Sequence, residues 1–363
     1  ANAELADSVY NLVLMKGWTF LTPLLYFFAR VLSPITFHSL RNALHHSLEQ
    51  IQRKHGVING IVSFIPFLNA AIIAAQPHIP LITIVTDWNS SEAHPWFQDT
   101  RQYLLCATSD AFETAQNQNW PQNRLHKLSG LVLREQFYVE IQRNQRNQSI
   151  SHRRPLRTID SDEMSVLITF GGCPPTGSVI KIVHAILRAN SSVGNLEMIV
   201  LCGRNEALKK RLERINDLNS TENSRIQALG FVSNVATIMN RCVCVIGKPG
   251  PGVVAESLAL TKPMIIPLFS MGGLNGIMPQ EHDVLDYLLH NNLGCISTTE
   301  PDFIQLFNTP YSQLEFITNS IRKLPQNQAL YEVARFLQHT QLQTTFIDAP
   351  IEYRTNIRPK LEM

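Results

Sequence analysis

The chain has 363 residues, 44% apolar and 17% charged, a balance that describes a folded polypeptide long enough for about two domains with separate cores. Its 31 Lys and Arg barely exceed its 29 Asp and Glu, so the strong basic excess of a nucleic-acid binder is missing. Six scattered cysteines (106, 173, 202, 242, 244 and 295) form no C-x-x-C pair and join no clustered ligand set, which argues against a zinc site and for buried free thiols in a reducing compartment.

The chain shows no signal peptide and does not begin with Met. Its most apolar early stretch, residues 18–32, is interrupted by Thr19, Thr22, Pro23 and Arg30 and falls short of the roughly 20 largely apolar residues of a spanning helix. The aromatic run Leu24-Leu25-Tyr26-Phe27-Phe28, flanked by Lys16 and Arg30, fits a core helix or one lying in a membrane interface. Residues 60–65, 81–86 and 103–107 have the short apolar form of buried parallel strands, with helix-like segments at 68–75 and 109–116. That alternation predicts a parallel sheet. Residues 139–163, with the polar and basic runs 142–148 and 151–155, read as an interdomain linker whose basic residues have the chemistry to meet anionic headgroups.

The alternation then restarts. Strands are predicted at 165–170, 196–202, 227–229, 242–246 and 263–268, with helices at 179–188, 206–215 and 253–260. The predicted fold class is α/β, with two Rossmann-like domains facing a central cleft. The first spans 1–138, the linker 139–163, the second domain 164–325, and a helical segment with a tail 326–363. In such folds the loops at the strand C-termini carry the site.

The stretch Lys248-Pro249-Gly250-Pro251-Gly252-Val253-Val254-Ala255-Glu256 is the most informative. A strand, a glycine-proline turn and a helix start bring free backbone N–H groups and a positive dipole end to one point, where a pyrophosphate binds without many side chains. Glu256, about one turn in, is placed to accept hydroxyls such as those of a ribose. The same residues also fit a plain tight turn with a solvated carboxylate.

The order of these elements resembles the GT-B glycosyltransferases, in the branch with monogalactosyldiacylglycerol synthases, bacterial processive diacylglycerol glucosyltransferases and, more distantly, MurG. The resemblance runs over roughly 59–298. It is carried by Thr169-Phe170-Gly171-Gly172, by Ile199-Val200-Leu201-Cys202-Gly203-Arg204-Asn205, by Gly230-Phe231-Val232, by the Lys248 to Glu256 element, and by Pro279-Gln280-Glu281 running on to Tyr287 and Asn292-Leu293-Gly294. In the first half, Val85-Thr86-Asp87, His94-Pro95-Trp96-Phe97 and Gly130-Leu131-Val132-Leu133-Arg134 resemble the family's V-T-D, H-P-T-W-F and G-L-P-V-R elements, although the spacing from the Asp differs.

The resemblance implies a UDP-sugar donor site. Gly250 and Gly252 would let backbone N–H groups approach the pyrophosphate, and Gly171 and Gly172 would let a phosphate pass close to the first strand end. Lys248, Pro251 and Arg204 would also belong to the donor site. Gly230, Phe231 and Val232 would flank the base, Glu256 would take the ribose hydroxyls, and Gln280 with Glu281 would read the sugar. It further implies transfer of galactose or glucose to diacylglycerol or another lipid acceptor. The resemblance implies no cofactor or metal, and the near-balanced charge argues against a nucleic-acid partner. The protein would be peripheral, on the cytoplasmic face of a membrane, plastid or bacterial.

Three departures stand against the family pattern. The sequence starts downstream of the family's opening strand and its G-G-G-H loop. Ile65-Pro66-Phe67-Leu68-Asn69-Ala70 replaces H-P-L-M-Q-H, whose first His is a candidate general base, a role that contributes about 10²–10⁴-fold. Asp87 and His94 are the candidate substitutes, both in a loop expected to face the cleft. Val253 and Val284 stand where the family has Thr and Asn, each losing a polar group that could touch phosphate or sugar. A donor-binding or scaffold protein without turnover is therefore the second expectation, and a lipid-linked acceptor of the MurG type the third.

Overall fold

The computed structural model describes residues 22–88, 96–150, 163–189, 195–218, 224–308 and 310–339. These form two compact units, one built from Leu24–Val132 with Asn327–Met363, the other chiefly from Leu133–Gln326.

In the first unit, a long helix α1 (Thr22–His55) precedes strand β1 (Ile61–Ser63), helix α2 (Asn69–Ala75), β2 (Leu81–Val85), β3 (Tyr103–Cys106), helix α3 (Ser109–Asn117) and β4 (Leu125–Lys127). The strands pair in parallel in the order β1-β2-β3-β4. Every residue of β2 and β3 is buried, which explains their unbroken apolar character: a parallel sheet is covered on both faces and has no solvent side to pattern. Helix α3 is capped by Thr108, whose side chain accepts from the Ala111 N–H. None of the described side chains of α1 is buried; Leu44 packs beside Ile72, Ile73 and Leu81. Among the described residues no helix is long and apolar enough to cross a membrane.

The first unit is completed from far along the chain. Helix α13 (Ala329–His339) lays Ala329 and Val333 against Ile82, Ile84, Tyr103, Leu105 and Leu128. Glu332 accepts from the Ser129 N–H and hydroxyl at 2.8 and 3.0 Å, and Asn327 Nδ2 donates to the Leu131 carbonyl at 2.8 Å.

The second unit opens with helix α4 (Glu135–Ile150), so the polar run 142–148, read from sequence as linker, is helical. Then come β5 (Glu163–Thr169), α5 (Thr176–Arg188), β6 (Asn195–Gly203), α6 (Glu206–Leu218), β7 (Ser224–Gly230), α7 (Val235–Arg241) and β8 (Cys244–Gly247). After these follow α8 (Pro251–Ala259), β9 (Met264–Pro267), the single turn α9 (Leu268–Met271), α10 (Pro279–His290), β10 (Gly294–Ser297), α11 (Glu300–Asn308) and α12 (Pro310–Ile321). All six strands are parallel, in the order β10-β9-β8-β5-β6-β7. In chain order within the unit this is the 3-2-1-4-5-6 arrangement of a doubly wound sheet, read from the β7 edge. Its direction reverses between β5 and β8, and ligands of such sheets bind outside the strand C-termini at that reversal.

All six cysteines are free thiols, and all but the half-buried Cys173 are buried. Burial pushes Cys106, Cys242 and Cys295 up to about 12, far from the thiolate form a nucleophile or metal ligand needs.

Candidate functional site

At the reversal point β5 ends in Thr169-Phe170-Gly171-Gly172 and β8 in Gly247-Lys248-Pro249-Gly250. Two backbone approaches leave no room for a side chain. A Cβ on Gly247 would stand 1.9 Å from the Thr169 carbonyl oxygen, and one on Gly203, whose φ is +55°, would stand 2.2 Å from that of Gly172. The Arg204 N–H donates to the Gly172 carbonyl at 3.0 Å, and Gly230 lies within contact of Gly203. Gly171, Gly172, Arg204 and Gly230 thus share one row of strand ends. Arg204 is exposed, Phe231 is 74% exposed, and Val232 is half-buried. Gly171 has φ +80° and, like Gly172 and Gly252, has open space where a Cβ would be.

Helix α8 begins at this row. Gly250 is its N-cap and has no side chain to accept a hydrogen bond, while Pro251 at the first position has no N–H. The first intrahelical donor is the Val254 N–H, to the Gly250 carbonyl at 3.0 Å. The Gly252 and Val253 N–H groups therefore remain without a capping side chain at a positive dipole end, beside open space, as an anion site requires.

Two acidic residues back this turn, in different ways. Glu256 accepts from Arg134 Nη2 at 3.0 Å through Oε1, and its side chain is 16% exposed against 55% for the arginine. Burial raises the Glu256 carboxyl above its ordinary range, and the charge and hydrogen bond of Arg134 pull it back in part. Glu281 is 1% exposed. Its Oε2 accepts from the Met278 N–H at 3.0 Å and so caps α10, while Oε1 lies 2.7 Å from Lys248 Nζ. The Lys248 contact lies off the hydrogen-bond axis and is an ion contact; Oε1 has no hydrogen-bond partner among the described residues. Glu281, expected from sequence to read sugar hydroxyls, here caps α10 and contacts Lys248. Gln280 is the second residue of that helix, and its side chain lies outside the described residues.

The other expected residues fall elsewhere. Asp87 follows β2 in the first unit, half-buried, with Oδ1 accepting the Trp88 N–H at 3.1 Å. His94 lies outside the described residues. Val284, expected to leave a gap in polar contacts to the donor, is fully buried in α10. Around 65–70, Ile65 is 55% exposed and Asn69 is buried, accepting from Ser63 Oγ at 2.8 Å and donating to the Trp96 carbonyl at 3.3 Å. Phe67 is held at φ +67°, an unfavourable region for an aromatic residue. Among the described residues no group of three or more His, Cys, Asp or Glu is placed to hold a metal ion. The partner that sequence reading passed over is Arg134. It stood in view as the last residue of Gly130-Leu131-Val132-Leu133-Arg134, but only the structure joins it to Glu256.

A six-stranded doubly wound sheet with a glycine-lined reversal point, together with a second parallel α/β unit, defines the GT-B class. The fold matches that of MurG from Acinetobacter baumannii (TM-score 0.58, 15% identity, 85% of this chain and 81% of that one). It also matches a UDP-GlcNAc 2-epimerase from Neisseria meningitidis (0.57, 13%, 84% and 82%), solved bound to UDP-GlcNAc. Residues 166–270 match the glycosyltransferase family 28 C-terminal domain. The chain is 25% identical over 302 residues to the chloroplastic monogalactosyldiacylglycerol synthase 2 of Arabidopsis thaliana, covering 76% of this chain and 59% of the relative. To the chloroplastic monogalactosyldiacylglycerol synthase of Spinacia oleracea it is 23% identical over 316 residues, covering 80% and 56%. The chain thus has the GT-B fold, carries a stretch similar to the glycosyltransferase family 28 C-terminal domain, and spans 56% to 59% of the length of these two relatives.

Proposed function

We propose that the protein transfers a hexose, galactose before glucose, from a UDP-sugar to diacylglycerol at a membrane surface. The observation that carries the reading is the uncapped start of α8 beside Glu256, in a domain matching glycosyltransferase family 28. The pyrophosphate lies on the Gly252 and Val253 N–H groups, with Gly171 and Gly172 close to it and Arg204 at the rim. Glu256 takes the ribose hydroxyls, and Gly230, Phe231 and Val232 flank the base. Gln280 reads the sugar.

In the reaction the acceptor hydroxyl oxygen bonds to the anomeric carbon as the bond to the UDP oxygen breaks, inverting the linkage. UDP leaves with the bonding electrons, and the helix start stabilises its charge. The acceptor proton passes to Asp87 or His94, and no metal is invoked. Preference for diacylglycerol rests on the chloroplastic relatives named above. The exposed Val62, Phe64 and Ile65, with the basic α1 residues Arg41, Arg53 and Lys54, suit contact with lipid.

The test is transfer of radiolabelled galactose from UDP-galactose into diacylglycerol-containing vesicles, with UDP-glucose in parallel. Galactolipid formation supports the reading. Product only from UDP-glucose corrects the sugar, and product only with a polyprenyl-linked acceptor moves the protein toward the MurG type. A second reading, donor binding without turnover, is favoured by Ile65, which puts an exposed aliphatic group where the family carries a candidate base. It predicts UDP binding with no product from either sugar.

A further inference from the structure

We infer that Arg134 is a positioning residue for ribose recognition: it holds Glu256 ionised and turned so that the carboxylate can accept two ribose hydroxyls. This rests on the donor site proposed above and adds to it a residue from outside the glycine-rich turn.

The geometry fixes the guanidinium from two sides. Nη2 reaches Glu256 Oε1 at 3.0 Å, and the guanidinium carbon lies 5.4 Å from the centroid of the Phe137 ring, which is itself fully buried. Arg134 immediately precedes α4, and its carbonyl accepts from the Phe137 N–H at 3.0 Å, so backbone and side chain are tied to the same turn. An arginine stacked on a fixed ring loses little more freedom on pairing than it has lost already.

The chemistry needs this. An ionised carboxylate has about four lone-pair sites, and Arg134 uses one on Oε1; Oε2 has no hydrogen-bond partner among the described residues. That leaves acceptors for both ribose hydroxyls. A protonated acid would present a donor of its own and fewer acceptors. Burial drives Glu256 toward that form, and among the described residues Arg134 is the charged group that acts against it. Without Arg134 the carboxyl takes its proton at higher pH, and ribose recognition fades as pH falls.

The experiment compares UDP with 2′-deoxy-UDP by calorimetric titration from pH 5 to 8, for the unaltered protein, Arg134→Met and Arg134→Lys. Thermal unfolding verifies that each variant is folded. The two ligands share base and pyrophosphate and differ by one hydroxyl. The unaltered protein should prefer UDP by about tenfold or more, the value of a hydrogen bond to a charged group. Arg134→Met should lose most of that preference, with UDP binding falling off at higher pH than in the unaltered protein. Arg134→Lys, which restores a charge but not the stacked fork, should recover part of both.

Equal weakening of both ligands in Arg134→Met, with the preference and the pH profile intact, would put Arg134 on the phosphates and overturn the inference. Binding by Arg134→Met indistinguishable from the unaltered protein would also overturn it. If the unaltered protein bound neither ligand, the donor-site reading itself would fall, and this inference with it.

Discussion

The strand ends of the two sheets have been treated differently. In the six-stranded sheet Gly171 and Gly172 after β5 and Gly252 after β8 have open space beside them, and the start of α8 has no side-chain cap. In the four-stranded sheet the loop after β1 is closed on itself. Ser63, Asn69 and the Trp96 carbonyl are linked, and Gln102 joins them by donating to that carbonyl at 2.7 Å and accepting from Thr83 at 2.9 Å. One region keeps polar groups free for a ligand; the other spends them on itself. On the proposed function, the uncapped turn suits a nucleotide, whereas the loop after β1 is tied into its own hydrogen-bond network.

Substitutions on each side sharpen that contrast. The largest effect is expected from Glu281→Leu, which strands Lys248 and uncaps α10. Breaking a buried pair costs about 3–5 kcal/mol, read as a lower denaturant midpoint. Glu281→Gln, which keeps an acceptor for the Met278 N–H, should lose clearly less. Gly247→Ala comes next, because its Cβ would overlap the Thr169 carbonyl. Overpacking of this kind costs about 1–3 kcal/mol and sometimes more, and thermal unfolding measures it.

On the other sheet, Asn69→Ala should cost about 1–3 kcal/mol by leaving buried polar groups unpaired, yet leave UDP affinity unchanged. A fall in UDP affinity with Asn69→Ala would break the division between the two regions. The smallest effect concerns pH. The Glu256 carboxyl is raised above its usual 4.5, so the folded protein holds that proton more tightly than the unfolded chain. Its contribution to stability is complete below 4.5 and fades as pH rises through the raised value. Glu256→Gln should flatten stability against pH across that window, as measured by urea unfolding at pH 4 and 7.

Much of the architecture was legible because buried parallel strands announce themselves as apolar runs: β2, β3, β5, β6, β8 and β9 all stand where such runs occur. β4 and β10 were missed. Leu-His-Lys offers one apolar residue, and β10 alternates buried and half-buried positions, both being edge strands with one side less covered. The return of α13 to the first sheet joins residues some 200 apart in sequence and leaves no local mark.

At the site the glycine turn was readable from its residue types. The capping of α10 by Glu281 was readable in principle, since a Glu at the third position of a helix is where a side chain folds back onto the cap. The pairing of Arg134 with Glu256 was not readable, because 122 residues separate the two.

The central claim, that the start of α8 and Glu256 form a nucleotide site, is tested most directly by titrating UDP into the folded protein and into Glu256→Ala. The account predicts saturable one-to-one binding, weakened at least about tenfold in the variant through loss of hydroxyl contacts to a charged group. Binding unaffected by Glu256→Ala, or no binding to the intact protein, would contradict it.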